Sequence, residues 1–485
     1  MSATLEVSNY IDGRLQPPAK DAWLDIHEPA TGRVYGRVAD SDVNDLDQAV
    51  AAAREAWPEW RRTGAEARAR WLHALADLVE ARAEHLAQAE SADTGKPLSL
   101  ARGVDIPRVA ANLRFFAAAA TQFASESHPM GDAGINFTLR EPYGIVGCIS
   151  PWNLPLYLLT WKLSPALAAG NCVIAKPSEL APVSAGLFAE LCMEAGLPPG
   201  VLNILHGRGA GIGQQLVDHP DIRAISFTGG TRTGALIARA AAPKFKKLSL
   251  ELGGKNPTIV FADCDFERTL DGVVRAAFTN QGQVCMCGSR ILVERAIYAR
   301  FRDALVKRVR ELKVGDPAEP GTDQGALISA AHRQKVLDYL ALAREEGGRL
   351  LCGGEPVTPP GTRCSEGWFV SPALLEDLAP DCRVNQEEIF GPVATLLPFH
   401  GEDEAVALAN CVPYGLAVSI WSRDIGCCHR VAARVEAGLV WINCWMVRDL
   451  RTPLGGTKES GLGREGGFEA MRFFTEAKNV CVSYD

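Results

Sequence analysis

The chain has 485 residues, which is too many for one hydrophobic core and predicts at least two large domains. Hydrophobic residues make up 47% of the chain and charged residues 22%, a balance that can fill cores and excludes general disorder. The formal net charge of -8 disfavours nucleic acid as a partner.

Fourteen cysteines are scattered along the chain without a repeated spacing. In a long chain this usage indicates reduced thiols in the cytoplasm rather than a disulfide framework. No histidine cluster accompanies the cysteines, so we predict no metal site. The N-terminus lacks a basic segment followed by an apolar run, and prolines interrupt the most apolar stretch, 143–161. We therefore predict neither a signal peptide nor a membrane span.

The first quarter of the chain has a mainly helical pattern. Apolar residues recur at helical spacing in 43–57 and 64–90, and 103–120 keeps the same character. From Tyr143 onward, helical stretches at 182–196 and 210–218 alternate with short β-rich runs, which are YGIVGCIS, NCVIAKP, VLNILHG, AISFTGG and KLSLELG. This alternation is typical of parallel βαβ units in a doubly wound α/β sheet.

A second β/α series begins at NPTIVFAD, just after Gly253 and Gly254, which we take as the main domain boundary. Its predicted helices cover 265–279, 296–312, 330–346 and 403–410. Before it, residues 120–142 form an excursion that contains the predicted strand INFTLR, and the chain ends in another predicted strand, NVCVSY. Two such edge strands can pair with each other or with another subunit.

Two residues carry the predicted catalysis, Cys285 in FTNQGQVCMCGSR and Glu251 in KLSLELGGKNP. Cys285 follows a polar turn from which a thiolate could project into a cleft, and nearby positive charge or helix-terminal N–H groups would lower its pKa. Glu251 ends a strand beside two glycines and has room to hold a water, which suits a general base. Considered alone, each residue fits a purely structural role better.

Three further motifs suggest binding groups. Asn153 in PWNLP follows a strand, and its amide could donate to an oxyanion or satisfy its own turn. Lys176 and Glu179 in KPSE could grip a ribose diol or form a solvated pair. The glycine-rich turns GRGAGIG and FTGGTRTG lie between strands and helices, where backbone N–H groups favour phosphate. Neither turn matches G-x-G-x-x-G, so neither is specific by itself.

Together these motifs resemble the aldehyde dehydrogenase family over essentially the whole chain. The motifs follow the order of that family, as PWNLP, KPSE, FTGGTRTG, ELGGKNP, FTNQGQVC, EEIFGPV and GGTKESGLGREGG. Several independent motifs in order outweigh the structural alternatives, which were considered one residue at a time. The resemblance implies an NAD-dependent enzyme that oxidises an aldehyde to a carboxylate.

The resemblance also implies a role for each matching residue. Cys285 would attack the aldehyde, Asn153 and the backbone N–H of Cys285 would hold the oxyanion, and Glu251 would activate the water that releases the acid. The implied cofactor contacts comprise the adenosine ribose pair, the nicotinamide contacts and the phosphate turns, and they are Lys176, Glu179, Glu388, Phe390, Trp152, Gly209, Phe227, Gly229 and Gly230. Gly230 stands where the family usually has serine, so we expect one pyrophosphate hydrogen bond fewer.

The implied architecture is a Rossmann-type cofactor domain, an α/β catalytic domain and a small β oligomerisation arm. The cofactor domain would comprise 1–119 and 143–253, and the catalytic domain 254–464. The arm would comprise 120–142 and 465–485, which implies a homodimer or homotetramer.

Three arginines fall in or near the segments that, by the family resemblance, line the substrate funnel. Arg108 and Arg448, with Arg451 close by, should enter it. A guanidinium in a narrow tunnel is costly unless an anion meets it, so we predict a substrate whose carboxylate is remote from its aldehyde. The alternative is that these arginines pair with internal acids such as Asp105 or Asp449.

Tyr157 and Trp161 are expected to form an apolar wall beside the substrate. The segment NCWMVRDLRTP resembles the branch of the family that oxidises muconic semialdehydes. We expect 2-aminomuconic 6-semialdehyde as the substrate, with 2-hydroxymuconic semialdehyde or a different aldehyde as alternatives. Two rival functions are disfavoured. An enzyme that transfers the acyl group to CoA would not need Glu251, and a catalytically silent relative would not need Cys285 and Glu251 together.

Overall fold

The larger of two main sheets organises the first half of the chain. The computed structural model describes residues 5–485. The centre of this sheet is parallel, with Ile145–Ile149 between Cys172–Lys176 and Ile222–Thr228. These strands are almost wholly buried on both faces, as expected for a parallel sheet covered by helices. In spatial order its eight strands are Gly461–Leu462, Lys247–Glu251, Ile222–Thr228, Ile145–Ile149, Cys172–Lys176, Leu202–Ile204, Asn9–Ile11 and Arg14–Gln16.

The second main sheet belongs to the second half of the chain and is parallel except at one edge, where Arg349–Cys352 is antiparallel to Ala373–Glu376. In spatial order its seven strands are Arg349–Cys352, Ala373–Glu376, Val393–Phe399, Arg290–Glu294, Pro257–Val260, Ala417–Trp421 and Leu439–Ile442. Smaller sheets comprise Leu5–Val7, Arg33–Ala39 and Trp23–Glu28; Pro356–Val357 and Phe369–Val370; and Tyr414–Gly415 and Thr457–Lys458. The predicted α/β class with parallel sheets is confirmed.

The two predicted edge strands pair with each other. Gly134–Pro142 is antiparallel to Thr475–Ser483 along its whole length, from Thr475 opposite Pro142 to Ser483 opposite Gly134. Ser127–Pro129 adds a third strand on the other side of Gly134–Pro142. The last strand, Thr475–Ser483, is therefore an exposed edge of this small sheet.

Helices cover both main sheets and lie close to the predicted ranges. The α-helices are Val43–Arg62, Ala65–Ala81, Ala83–Thr94, Leu98–Leu100, Ile106–Gln122, Pro155–Ala168, Val183–Glu194, Gln214–Asp218, Thr231–Ala241, Phe266–Phe278, Tyr298–Arg310, Ala330–Glu345, Arg383–Gln386, Gly401–Asn410, Ile425–Ala432 and Gly467–Phe473. The predicted helix 64–90 is in fact two helices, because Arg82 leaves helical geometry. Two single π-helical turns, Ala101–Asp105 and Gly209–Gly213, precede helices. None of the helices in residues 5–485 is long and apolar enough to cross a membrane.

The chain returns to the first sheet near its end. Strand Gly461–Leu462 pairs with Lys247–Glu251, and Ala470 and Met471 of helix Gly467–Phe473 lie in the core under that sheet. The predicted ranges assign these two elements to the catalytic domain and the arm, because the order of a sequence does not reveal such a return. The remaining domain division stays a prediction.

Candidate active site

The proposed catalytic residues come from the ends of strands in both main sheets. Glu251 is the last residue of strand Lys247–Glu251, and Asn153 lies in the turn between a strand of the same sheet and helix Pro155–Ala168. Cys285 lies in the loop before strand Arg290–Glu294 of the second sheet. The carboxyl ends of parallel strands form the crevice in which α/β proteins bind ligands. Cys285 and Asn153 both line a cavity of about 220 Å³ in this crevice.

The loop that carries Cys285 is held in an unusual backbone conformation. Asn280 and Gln281 have φ values of 53° and 54°, in the left-handed region that costs most residues about 1–2 kcal/mol. Gly282 also has positive φ, and a Cβ there would meet the carbonyl oxygen of Gly391 at 2.0 Å. The side-chain amide of Asn256 donates to the carbonyl of Cys285 at 2.8 Å. These contacts fix the position of the cysteine.

The thiol of Cys285 is protonated in this arrangement. Burial, followed by the carboxylates of Glu388 and Glu251, raises its pKa to about 12, and Arg448 opposes that rise. The prediction from the sequence was an environment that lowers this pKa. Burial is the larger effect because a thiolate loses its hydration inside the cleft. A base must therefore take the thiol proton when Cys285 reacts.

Glu251 has the surroundings of a general base. It is 5% exposed, and its Oε1 has no hydrogen-bond partner among residues 5–485. Burial first, and then the charge of Glu465, raises the pKa of Glu251 well above its ordinary value. A carboxylate with a raised pKa accepts a proton more readily near neutral pH.

Glu465 is itself held by a buried cation that the sequence analysis missed. The ammonium of Lys162 donates to Glu465 Oε1 at 2.6 Å, and the hydroxyl of Ser226 donates to the same oxygen at 3.0 Å. The motif GREGG contains Glu465, but its partner Lys162 is 303 positions away. Only a signal for burial at Lys162, inside the apolar helix 155–168, could have identified the pair.

Asn153 is held through both its side-chain amide and its backbone carbonyl. Its side-chain Nδ2 donates to the carbonyl of Gln283 at 2.9 Å, which leaves one N–H of the amide for another acceptor. Its backbone carbonyl accepts hydrogen bonds from Lys96 Nζ at 2.9 Å and from Asn280 Nδ2 at 3.1 Å. Asn153 is only 3% exposed, so its orientation is set by protein contacts.

The smaller cavity is also lined by residues predicted to hold a nicotinamide cofactor. Trp152 and Phe390 meet edge to face, with ring centroids 5.3 Å apart. Glu388 accepts a hydrogen bond from the backbone N–H of Gly254 at 3.1 Å, and burial raises its pKa. Several lining residues were not predicted, among them His332 and Lys335. His332 packs against Trp152, and Lys335 donates to the carbonyl of Glu388 at 3.1 Å.

The predicted phosphate turn leads into a free helix N-terminus. Gly229 and Gly230 line the cavity and precede helix Thr231–Ala241, which has no side-chain cap. Nothing lies within 4 Å of a Cβ built at Gly230, so there is open space beside the backbone. Phe227 lies beneath this turn, since a Cβ at Gly229 would meet its ring at 2.4 Å, and it supports the turn rather than facing the cavity.

The predicted ribose residues form one connected group. Lys176 Nζ donates to Glu179 Oε2 at 3.1 Å, and the backbone N–H of Gly209 donates to Glu179 Oε1 at 3.2 Å. Although burial raises the pKa of Glu179, Lys176 and two backbone N–H groups hold it below its ordinary value. Glu179 is therefore an ionised acceptor at neutral pH.

A second cavity of about 580 Å³ lies on the other side of the cysteine loop and contains two predicted arginines. Arg108, Tyr157 and Arg448 line it, together with Val284, the residue before Cys285. Arg448 Nη1 donates to the Tyr157 hydroxyl at 3.0 Å. Both guanidinium groups lie over the ring of Trp161, at 5.5 and 5.6 Å from its centroid.

Neither arginine has an ion pair with an acid in residues 5–485. Arg108 donates through Nε to the amide oxygen of Asn112, and its Nη2 is buried without a partner. Burial lowers the pKa of Arg108. Asp105, which the alternative interpretation offered as its partner, instead pairs with Lys96. The internal pairing considered for Arg108 and Arg448 is not found.

Arg451 does not match its prediction. It pairs with Asp449 at 2.7 Å, its side chain is 81% exposed, and it does not line the larger cavity. Asp449, two residues away in the same loop, holds the guanidinium at the surface. Trp161 is also absent from the immediate lining, since it lies under the two arginines and is 2% exposed. Trp445 and Met446 line the cavity and were not predicted.

Residues 16–480 match the aldehyde dehydrogenase family, and the chain belongs to that family of aldehyde-oxidising enzymes. The chain is 49% identical to 2-aminomuconic semialdehyde dehydrogenase of Danio rerio, across 99% of each sequence. It is 45% identical to 2-hydroxymuconic semialdehyde dehydrogenase of Pseudomonas sp. (strain CF600), across 98% of this chain and 99% of the relative.

Solved structures agree with this assignment. PnpE from Pseudomonas sp. WBC-3 superimposes with a TM-score of 0.96 and 40% identity, across 99% of this chain and 98% of the other. PnpE has also been solved in complex with nicotinamide adenine dinucleotide. The resemblance inferred from the motifs, including its muconic semialdehyde branch, is confirmed at the level of the family and of its named relatives.

Proposed function

We propose that this enzyme uses NAD to oxidise a semialdehyde with a remote carboxylate, and that its substrate is 2-aminomuconic 6-semialdehyde. The observation that carries the proposal is the pair Arg108 and Arg448, which have no acidic partner among residues 5–485 and line the cavity beside the Cys285 loop. The relatives named for 2-aminomuconic semialdehyde support the choice of the amino compound, at 47–49% identity. The relative named for the hydroxy compound, at 45%, keeps that compound as the second candidate.

Both arginines are half-buried, and partial removal of a guanidinium from water is costly unless a group of opposite charge joins it. The aromatic faces of Tyr157 and Trp161 stabilise part of this charge through cation–π contacts. A carboxylate accepts two parallel hydrogen bonds from a guanidinium, which would use the unpartnered Nη2 of Arg108.

The proposed chemistry uses three residues, Cys285 and Asn153, which line the smaller cavity, and Glu251. Cys285 Sγ forms a bond to the aldehyde carbon as a base takes the thiol proton, and the free N–H of Asn153 stabilises the oxygen that becomes negative. NAD, when bound, supplies the acceptor for the hydride that leaves this carbon, so that a thioester remains on Cys285. Glu251 then takes a proton from a water that attacks the thioester, and the carboxylic acid departs as the thiol is restored.

The predicted cofactor-binding residues fit NAD. The uncapped helix at Thr231 and the open space beside Gly230 suit a pyrophosphate, because free backbone N–H groups favour negative charge. Ionised Glu179 suits a ribose diol and would repel a 2′-phosphate, which favours NAD over NADP. Glu388 would contact the second ribose, and Phe390 the nicotinamide ring, as the family resemblance implies.

Substitution of the arginines tests the substrate assignment. Arg108→Ala and Arg448→Ala should each raise KM for a carboxylate-bearing semialdehyde, with a loss of about 2–5 kcal/mol in binding. Arg108→Ala should not alter the oxidation of a neutral aliphatic aldehyde by more than about twofold. Steady-state NADH formation measures both reactions.

Arg451→Ala is the matched control, because it removes an exposed arginine of the same loop that is paired with Asp449. It should leave both substrates unaffected. Equal losses for the charged and the neutral aldehyde in the Arg108 variant would rule out carboxylate recognition. Rates with the amino and hydroxy semialdehydes, compared with betaine aldehyde and succinic semialdehyde, identify the preferred substrate.

We further propose a cytoplasmic homodimer or homotetramer. The exposed edge of strand Thr475–Ser483 offers unpaired backbone groups to a second copy, and all fourteen cysteines are free thiols, as in a reducing compartment. Light scattering should give at least twice the mass of 52.1 kDa, and a monomer at micromolar concentration would contradict the assembly.

A further inference from the structure

A fully buried ion cluster lies behind Asn153. Lys96 is completely inaccessible to solvent, and its ammonium contacts the carboxylates of Glu90, at 3.3 Å, and Asp105. Its third partner is the backbone carbonyl of Asn153, at 2.9 Å. All three donor positions of the ammonium are thus occupied. Neither Glu90 nor Lys96 lines either cavity of the active site.

Local structure explains why Lys96 points inward. Helix Ala83–Thr94 ends at Gly95, whose φ of 75° turns the chain back beneath the helix. A Cβ at Gly95 would come within 3.0 Å of Ala326, so this position requires glycine. Glu90 lies on the same helix, and Asp105 closes the π-helical turn that leads into the helix carrying Arg108. The cluster therefore joins three segments behind the site.

We propose that Lys96 is a positioning residue for aldehyde oxidation: held by Glu90 and Asp105, it fixes the peptide of Asn153 and so aims the side-chain amide at the oxyanion. This inference rests on the role proposed above for Asn153. Although burial lowers the pKa of Lys96, its two acidic neighbours hold it above the ordinary value. The ammonium thus keeps the proton with which it grips the Asn153 carbonyl.

The loop that carries Cys285 also forms hydrogen bonds with Asn153. Asn280 Nδ2 donates to the Asn153 carbonyl at 3.1 Å, and the Asn153 side chain donates to Gln283 in return. Without Lys96, one of the two donors to the carbonyl is lost, and the peptide can rotate about the remaining contact. A small rotation displaces the amide, and displaced donors stabilise an oxyanion poorly.

The test is a double-mutant cycle between Lys96 and Asn153, with the aldehyde that the parent enzyme oxidises fastest. Lys96→Met keeps the length of the side chain and removes its charge. It should lower kcat about 10- to 100-fold, the effect typical of groups that orient a reacting residue. In an Asn153→Ala background the same change should alter kcat by less than about twofold, because Lys96 then has nothing to aim.

A purely structural role would give a different pattern. Equal losses of kcat from Lys96→Met in the two backgrounds would overturn the proposal, and so would an unchanged kcat in Lys96→Met alone. If Asn153→Ala by itself retained the parental kcat, the proposed role of Asn153 would fail instead, which separates the two conclusions. Iodoacetamide should alkylate Cys285 at the parental rate in Lys96→Met, since the thiol is not the group that moves.

Two further variants keep the test decisive. Arg102→Ala removes the exposed pair with Glu84 that joins the same helix and the same π-helical turn, and it should leave kcat unchanged. If Lys96→Met does not fold, the variant Glu90→Gln/Lys96→Met/Asp105→Asn removes all three charges and leaves none of them unpaired. That variant should show the same dependence on Asn153, and additivity with Asn153→Ala would again overturn the proposal.

Discussion

Two wholly buried lysines contact the surroundings of the proposed catalytic residues, and they differ in what they hold. Lys96 contacts two carboxylates and the backbone of Asn153. Lys162 contacts one carboxylate, Glu465, and the hydroxyl of Ser226. Lys96 is thus tied to the geometry of a proposed oxyanion donor. Lys162 is tied to the charge that surrounds the proposed base, Glu251.

This difference shows that similar buried ion networks can do different work. A bond to a backbone carbonyl restrains position, whereas a charge beside a carboxylate changes its affinity for protons. Substitutions in the two networks should therefore alter different measurements, namely a maximal rate in one case and a pH profile in the other.

The largest loss of activity is expected from substitution of Glu251, the proposed base beside the Lys162 and Glu465 pair. Glu251→Gln removes the base for thioester hydrolysis and should lower steady-state turnover about 10²- to 10⁴-fold. The first turnover should survive, because attack by Cys285 and loss of hydride precede hydrolysis. Stopped-flow measurement should thus show a burst of NADH equal to the enzyme concentration. The loss of both phases would show that Glu251 also takes the proton of Cys285.

Smaller effects, namely shifts of the pH profile in opposite directions, are expected from substitution of the two charged neighbours of Glu251. The hydrolysis rate should rise with pH as Glu251 loses its proton. Glu465 raises the pKa of Glu251, so Glu465→Gln should move the midpoint of the profile to lower pH. Lys162 lowers the pKa of Glu251, so Lys162→Met should move the midpoint to higher pH. Shifts in the same direction would contradict a role through charge.

The smallest effect on the pH profile is expected from substitution of Lys96. Lys96→Met should reduce the height of the hydrolysis profile and leave its midpoint within about 0.3 pH units of the parental value, since Lys96 is not among the groups that chiefly set the pKa of Glu251. A midpoint shift as large as that of Lys162→Met would mean that the two networks are not separate.

Much of the site could be predicted because it depends on local chain geometry. Cys285, Glu251 and Asn153 each end or follow a strand, and the carboxyl ends of parallel strands meet in one crevice whatever the details of packing. Glycine-rich turns before helices behave in the same way, as Gly229 and Gly230 illustrate. A motif of five to ten residues contains the information for such features.

The parts that could not be predicted depend on distant contacts. Arg448 and Arg451 are three residues apart in one loop, yet only Arg448 enters the cavity, because Asp449 holds Arg451 at the surface. The protonation of Cys285 was also unexpected, since burial outweighs the nearby positive charge. Neither outcome can be derived from the residue types alone.

The amino-acid sequence by itself determined the α/β class, the family and the residues proposed for the reaction, because strand patterning and turn chemistry are local properties. The tertiary structure decided which arginines line the larger cavity, how burial shifts the pKa values of Cys285 and Glu251, and which buried lysine lies near each proposed catalytic group. These properties arise from residues up to 303 positions apart in the chain, and only folding brings their charges close enough to interact.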